Sequence, residues 1–200
     1  GLLLLFVLAL ARFLAPGLGF TSLLSIGAKL GKTTVPALAA VPHHVYEDSH
    51  GYDGAYYVQI ALDPLLRSAE LPGAIDNLHY RAKRILMSWV AWTLGAGQPA
   101  WVVHVFPLLN IACWFALAFL LWRWLPPDNP QNLLRWAGVL FSHGACMSVR
   151  HSLVDLPSLL AVAVAVAWWG PMRPPRPRPM ATTWAWPPCL PRQPTRPSTP

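Results

Sequence analysis

The chain has 200 residues, 54% hydrophobic and 12% charged, with eleven tryptophans and a formal net charge of +7. Soluble domains carry roughly 25% charged residues, so a water-soluble enzyme with a self-contained core is excluded, and the clustering of apolar residues into long runs is the pattern of membrane spans. The charge distribution argues against a nucleic-acid partner: five of the fifteen basic residues fall in the last thirty positions, and six of the eight acids fall between Glu47 and Asp76.

The chain opens "GLLLLFVLALARFLAPGLGF". Its apolar character continues through Ile26 with no basic leader, so it reads as a first membrane span over roughly 1–26 rather than a signal peptide. Pro16 and Gly17 are expected to kink that span, and Arg12 within it needs a partner or a path to an interface. A start at Gly1 rather than Met reads as a fragment of a longer gene product. Residues 29–84 form a long polar segment. Inside it, "YYVQIALDPLLRSAEL" places Tyr57, Ile60, Ala61 and Leu65 at helical spacing, which predicts a short amphipathic helix lying at the membrane interface and interrupted at Pro64.

"ILMSWVAWTLGAG" (85–97) is apolar but shorter than the roughly twenty residues that a span needs. "AWVVHVFPLLNIACWFALAFLLWRW" (100–124) is long enough, and Trp122 and Trp124 around Arg123 form an interfacial anchor. Two further apolar segments, "LLRWAGVLFSHGACMSV" and "LPSLLAVAVAVAWWG", flank "RHSLVD". The fold class predicted is all-α: a polytopic transmembrane helix bundle of four or five spans with a long extracytoplasmic first loop, in a membrane domain over 1–170. The Pro- and Arg-rich segment 171–200 has no apolar periodicity and is expected to be disordered. Its abrupt onset, where another helix is due, is the pattern of a shifted reading frame. Cys113, Cys146 and Cys189 have no metal-type spacing, and the first two are expected to be buried structural thiols.

Charge sets sidedness. If 85–97 does not cross, there are four spans, Asp53 and "RHSLVD" share one side, and Arg123, Arg135 and the Arg-rich tail share the other, which puts Asp53 outside the cytoplasm. If it does cross, there are five spans and "RHSLVD" lies opposite Asp53.

Several groups could carry chemistry. Asp53, between Tyr52 and Gly54, can project from a turn, with Tyr56 and Tyr57 at the interface; a carboxylate held there can act as a general base. The alternative is a plain Asp-Gly turn. Arg81, Lys83 and Arg84 stand at the mouth of an apolar segment, suited to binding phosphate or to anchoring a helix end among headgroups. Glu47, Asp48 and His50 offer oxygen and nitrogen ligands, and Mg2+ or Mn2+ would suit the oxygens; the spacing fits no strict metal motif, and a solvated loop is the alternative. Arg150, His151 and Asp155 are charges at membrane depth, where such residues are functional candidates, although Arg150 and Asp155 could simply neutralise each other. Ser148, His151 and Asp155 lack the surroundings of a hydrolase triad. His104, alone in an apolar run, reads as a packed, hydrogen-bonded helix residue.

In their order, "GYDGAYYVQIALDP", "DNLHYRAKRIL", a helix bearing Asn110 and "SVRHSLVDLP" resemble the bacterial polytopic glycosyltransferases of the GT-C superfamily. The resemblance covers roughly 1–170 and is most specific over 51–85. It implies transfer of a sugar from a polyprenyl-phosphate carrier to a cell-surface glycan or lipid acceptor, in the bacterial inner (plasma) membrane, by an extracytoplasmic loop with an essential acid. It gives the catalytic role to Asp53, with Asp48 and Glu47 as alternatives, and donor-phosphate binding to Arg81 and Arg84, with Lys83 beside them. It also implies that 85–97 is a true span. The sequence departs from the pattern at Leu78-His79 and Met87-Ser88, where prolines are expected, and in its length and tail. A rival reading is a non-catalytic membrane subunit or transporter fragment, with Asp53 a turn residue and Arg150–Asp155 a structural or proton-relay pair.

Overall fold

The computed structural model describes residues 1–30 and 34–169. The expectations for 171–200 and for Cys189 concern residues outside those described. The chain is mostly helical, as its apolar periodicity predicts. Among the described residues ten helices run in order: α1 Leu2–Ala11, α2 Pro36–Ala39, α3 Asp53–Leu62, α4 Leu71–Ala74, α5 Leu78–Ala82, α6 Leu86–Leu94, α7 Pro99–Trp124, α8 Pro130–Leu140, α9 His143–Arg150 and α10 Asp155–Trp169. A 3-10 turn spans Thr21–Leu24, and a short parallel pair joins β1 (Ile26–Gly27) to β2 (Val45–Tyr46).

Helix α7 is the axis. Its 26 residues reach about 39 Å at 1.5 Å per residue, and it is the one helix among the described residues long and apolar enough to cross a membrane. Helices α3, α6, α9 and α10 pack against it. Midway along it, the fully buried Trp114 stacks on Phe6 of α1 with centroids 3.6 Å apart. Its indole N–H donates to the Leu140 carbonyl at 2.9 Å. A stack of this kind adds about 0.5–1.5 kcal/mol beyond area burial, and the indole bond satisfies that buried donor. The bundle's perimeter is apolar: Leu4, Leu8, Phe119, Trp122, Val162 and Trp168 are all exposed. Contiguous apolar surface of this extent is unusual on soluble proteins and marks contact with membrane or partner.

Three expectations are corrected here. Residues 1–26 are not one kinked span. Helix α1 ends at Ala11, and the chain reverses through a turn in which Gly17 and Gly19 take positive φ and Ala15 pairs with Gly19. Two glycines within a few residues of Pro16 reverse the chain instead of bending a helix. Arg12 is exposed beyond that helix end. Helix α3 is not a surface helix: Tyr57, Val58, Ile60 and Ala61 are buried, and it packs on both α6 and α7. It stops at Leu62, just ahead of Pro64. Finally, Cys113 is half-buried and Cys146 exposed, because Cys146 faces outward from α9. The segment 130–150 is also broken, with Ser142 accepting the Ala145 N–H to start α9 afresh.

Candidate active site

The polar segment folds onto the end of the bundle where α7 begins. The backbone of Gly51 takes φ +77°, and the Tyr52 N–H then donates to the Ser25 carbonyl at 3.0 Å. Tyr52 is extended (φ −141°, ψ 177°) and opens α3, which leaves Asp53 in that helix's first turn, where a carboxylate is favoured by the helix dipole. Gly54 answers why a glycine follows the acid. A Cβ there would stand 2.1 Å from the His151 carbonyl oxygen and 3.1 Å from the Leu24 oxygen. The first turn of α3 therefore lies directly against the backbone of the α9–α10 turn, and only glycine permits that approach.

Asp53 belongs to a three-membered charge network. Its Oδ1 accepts from Arg81 Nη2 at 3.0 Å. Arg81 also grips Asp76 with two parallel bonds, Nε to Oδ1 at 2.6 Å and Nη2 to Oδ2 at 2.8 Å, the bidentate geometry in which guanidinium–carboxylate pairs are strongest. The Arg81 side chain is 6% exposed and both carboxylates about half exposed. Its guanidinium lies 4.4 Å from the Tyr56 ring centroid, a cation–π contact. Burial disfavours the Arg81 charge, but its hydrogen bonds to Asp76 and then to Asp53 outweigh it, so its pKa is raised. The Arg81 hydrogen bonds hold Asp76 below the usual carboxylate range against a smaller opposing effect of burial. One cation facing two carboxylates leaves the cluster net negative, with Asp53 open to solvent.

Tyr57, expected at the interface, is 2% exposed. Its hydroxyl and Arg81 Nη1 are buried without a hydrogen-bond partner among the described residues, and burial foremost raises the Tyr57 pKa. Ser88, where a proline is expected, donates from Oγ to the Tyr57 carbonyl at 3.0 Å, tying α6 to α3.

Helix α5 links the network to a second feature. Asn77 caps it by accepting the Tyr80 N–H. Just past its end, Lys83 and Arg84 stand at the rim of an apolar groove of about 440 Å3 lined by Leu86, Met87, Val90, Leu109 and Pro157, between α6, α7 and α10. Arg84 Nη2 donates to the Tyr80 hydroxyl at 3.1 Å and reaches Asp155 only at 3.9 Å, both side chains being largely exposed. Exposed pairs of this kind contribute about 0–1 kcal/mol, so Arg84 is available to an incoming anion, whereas Arg81 is committed to its two carboxylates.

Arg150 does not pair with Asp155, as one expectation had it. It donates to Ser25 Oγ at 3.1 Å and to the Tyr46 hydroxyl at 3.3 Å, and covers the Phe13 ring at 4.7 Å. Position 150 ends α9 while Asp155 starts α10, and the turn between them points the two side chains apart. His151 Nδ1 lies 2.8 Å from Ser25 Oγ, and its ring stacks on Tyr52 with centroids 4.2 Å apart. Burial first and Arg150 second lower its pKa. Ser148 is buried and bonded to Asn110, the Leu153 carbonyl and the Leu156 N–H; these bonds give it a structural role. His104 is half-buried against Gly19.

Glu47 and Asp48 are exposed; Asp48 pairs with Lys29 at 3.2 Å, and neither joins the Asp53 network. Among the described residues no three His, Cys, Asp or Glu side chains converge to hold a metal ion. Sequence reasoning missed Asp76 and Ser25. Asp76 was recoverable: Asn77 is a strong helix start, which places Asp76 just ahead of α5 and Arg81 one turn on. Ser25 carried no such signal. The chain matches no protein-family model, no curated protein and no solved structure.

Proposed function

We propose that the protein is a GT-C-like membrane glycosyltransferase that moves a sugar from a polyprenyl-phosphate carrier to a hydroxyl of a cell-surface glycan or lipid. The observation that carries this reading is the arrangement about α5: an accessible carboxylate, Asp53, bonded to Arg81 of its last turn, and an apolar groove rimmed by Lys83 and Arg84 just past its end. A lipid tail suits the groove, a phosphate suits its cationic rim, and the sugar attached to that phosphate would extend toward Asp53.

In the reaction, the acceptor O–H gives its proton to Asp53 as its oxygen bonds to the anomeric carbon, while the bond from that carbon to the phosphate oxygen breaks. Polyprenyl phosphate leaves with the electron pair, and Arg84 and Lys83 stabilise its added charge. Arg81 fixes the orientation of the Asp53 carboxylate and does not contact phosphate.

The same arrangement supports a common side of the inner membrane for Asp53 and the α9–α10 turn, with α7 crossing away from it. Gly54 and Tyr52 touch His151, so the α9–α10 turn belongs on the side of Asp53, the relation that follows when 85–97 does not cross. Helix α6 has nine residues, about 14 Å, well short of a bilayer. Arg123 and Arg135 then fall on the opposite side, and positive-inside places Asp53 outside the cytoplasm.

A photoreactive polyprenyl phosphate tests the donor site. In membranes bearing the chain, ultraviolet cross-links should map to α6, α7 and α10, and inorganic-phosphate-insensitive labelling should fall on Arg84→Ala. Labelling confined to the outer face of α7 would contradict the groove.

A further inference from the structure

The proposed reaction leaves the acceptor open, and the surroundings of Tyr52 narrow it. This tyrosine is 42% exposed although its ring stacks on His151. One ring face is therefore covered and the other is open beside Asp53, the next residue. Its hydroxyl makes no hydrogen bond among the described residues.

The ring is held with unusual firmness for an exposed side chain. Behind it, His151 Nδ1 meets Ser25 Oγ, and Ser25 Oγ in turn accepts from Arg150. Arg150 can only donate, so Ser25 Oγ accepts from it and meets His151 Nδ1 with either its own proton or its second lone pair, and the lowered His151 pKa favours the neutral ring. The Tyr52 backbone is tied to the same residue through its bond to the Ser25 carbonyl. Three elements distant in sequence thus converge to brace one aromatic face. A braced ring loses little freedom on binding, and tyrosine is an efficient contact residue for that reason. Its neighbours along the chain are His50, Gly51 and Asp53, a polar setting unlike that of a lipid-anchoring aromatic.

An aromatic face carries partial negative charge. Its complement is the face of a pyranose, where several C–H bonds point the same way while the hydroxyls radiate from the edge. We propose that the open face of Tyr52 is an acceptor subsite on which a pyranose ring stacks, presenting an edge hydroxyl to Asp53. The acceptor is then a glycan and not a lipid alcohol. This inference rests on the glycosyltransferase reading given above.

The test uses the full chain in lipid nanodiscs and methyl glycosides of mannose, glucose and galactose at millimolar concentration, read by saturation-transfer NMR. At least one glycoside should receive saturation chiefly at its ring C–H protons. The signal should persist in Tyr52→Phe and Asp53→Asn and disappear in Tyr52→Leu, which still covers His151 but has no aromatic face. In transfer assays Tyr52→Leu should raise the acceptor KM by about 3- to 10-fold, the worth of one aromatic contact, with the donor KM unchanged. Full saturation transfer in Tyr52→Leu, or none to any glycoside in the unsubstituted chain, overturns the subsite. A rise in donor KM, or loss of membrane retention, would make Tyr52 a lipid-facing anchor and overturn it as well. If glycoside binding behaves as expected while Asp53→Asn transfers normally, the subsite stands and the assignment of the base fails.

Discussion

Replacing Gly54 with alanine probes the geometry on which the site depends. The added Cβ would lie 2.1 Å from the His151 carbonyl oxygen, against a practical lower limit of 3.0 Å, and its next neighbours, the His151 carbon and Leu24 oxygen at 3.1 Å, are backbone atoms as well. No side chain can swing away, so α3 and the α9–α10 turn must separate by about 0.9 Å. A displacement of that size takes a 3.0 Å hydrogen bond beyond about 3.5 Å, where it ceases to be one, and Asp53–Arg81 and Tyr52–Ser25 are both 3.0 Å bonds close to the affected turn. Overpacking of this type costs about 1–3 kcal/mol, and the better helix propensity of alanine returns at most about 1 kcal/mol. The net expectation is a loss of about 1–2 kcal/mol. Gly138 supplies the control, since it lies exposed in α8 with nothing within 4 Å of its would-be Cβ. Gly138→Ala should be neutral or stabilising by up to about 1 kcal/mol. Thermal unfolding in mild detergent, with hydrogen exchange across 52–58, compares the two. If Gly54→Ala is as stable as Gly138→Ala and exchange across 52–58 is unchanged, the close contact between α3 and the α9–α10 turn does not exist.

Asp76→Asn removes the bidentate partner of a buried guanidinium and should cost about 2 kcal/mol, in the range for hydrogen bonds to charged groups, as a lower unfolding midpoint; an unchanged midpoint would mean that Asp53 alone suffices to hold Arg81. Acid should act on the same turn from two directions. The folded pKa of His151 lies below its ordinary 6.5, so its contribution is complete above that pH and is lost as pH falls from 6.5 through the folded value; that of Asp76, also depressed, is lost below about pH 4. Intrinsic-rate-corrected exchange at 50–54 should therefore accelerate below pH 6.5 in the unsubstituted chain but not in His151→Phe, and equal pH profiles would refute the assignment. A cysteine at the exposed Glu47 should react with an impermeant thiol reagent in intact cells, and labelling only after lysis would reverse the proposed orientation.

Helix α7 was legible because a run of apolar residues that long has few other uses, and it forms within a residue of its expected bounds. The pairing of Asp53 with Arg81 was half legible: both residues stood out by type, but nothing in their separation of 28 residues tells a phosphate-binding arginine from one buried between two carboxylates. The burial of α3 was not legible. Its apolar spacing is that of any amphipathic helix, and what lets it enter the bundle is Gly54, whose value lies in the backbone it approaches, with the small Ala55 and Ala61 fully buried. Hydropathy alone also ran α1 through to Ile26, because Phe20, Leu23 and Leu24 are as apolar as a span; they are instead packed behind a glycine turn. Likewise the nearness of Arg150 to Asp155 in sequence suggested a pair that the intervening turn separates.

In the proposed mechanism Asp53 takes the acceptor proton. With Asp53→Asn introduced at the chromosomal locus of the source cells, membranes supplied with an authentic polyprenyl-phosphate-linked sugar should transfer it about 10²- to 10⁴-fold more slowly, the usual worth of a positioned general base, while protein level, unfolding midpoint and photolabelling of the groove stay close to those of the unsubstituted protein. Transfer at a near-normal rate, with the protein intact in the membrane, would contradict the claim and leave Asp53 as the residue that opens α3.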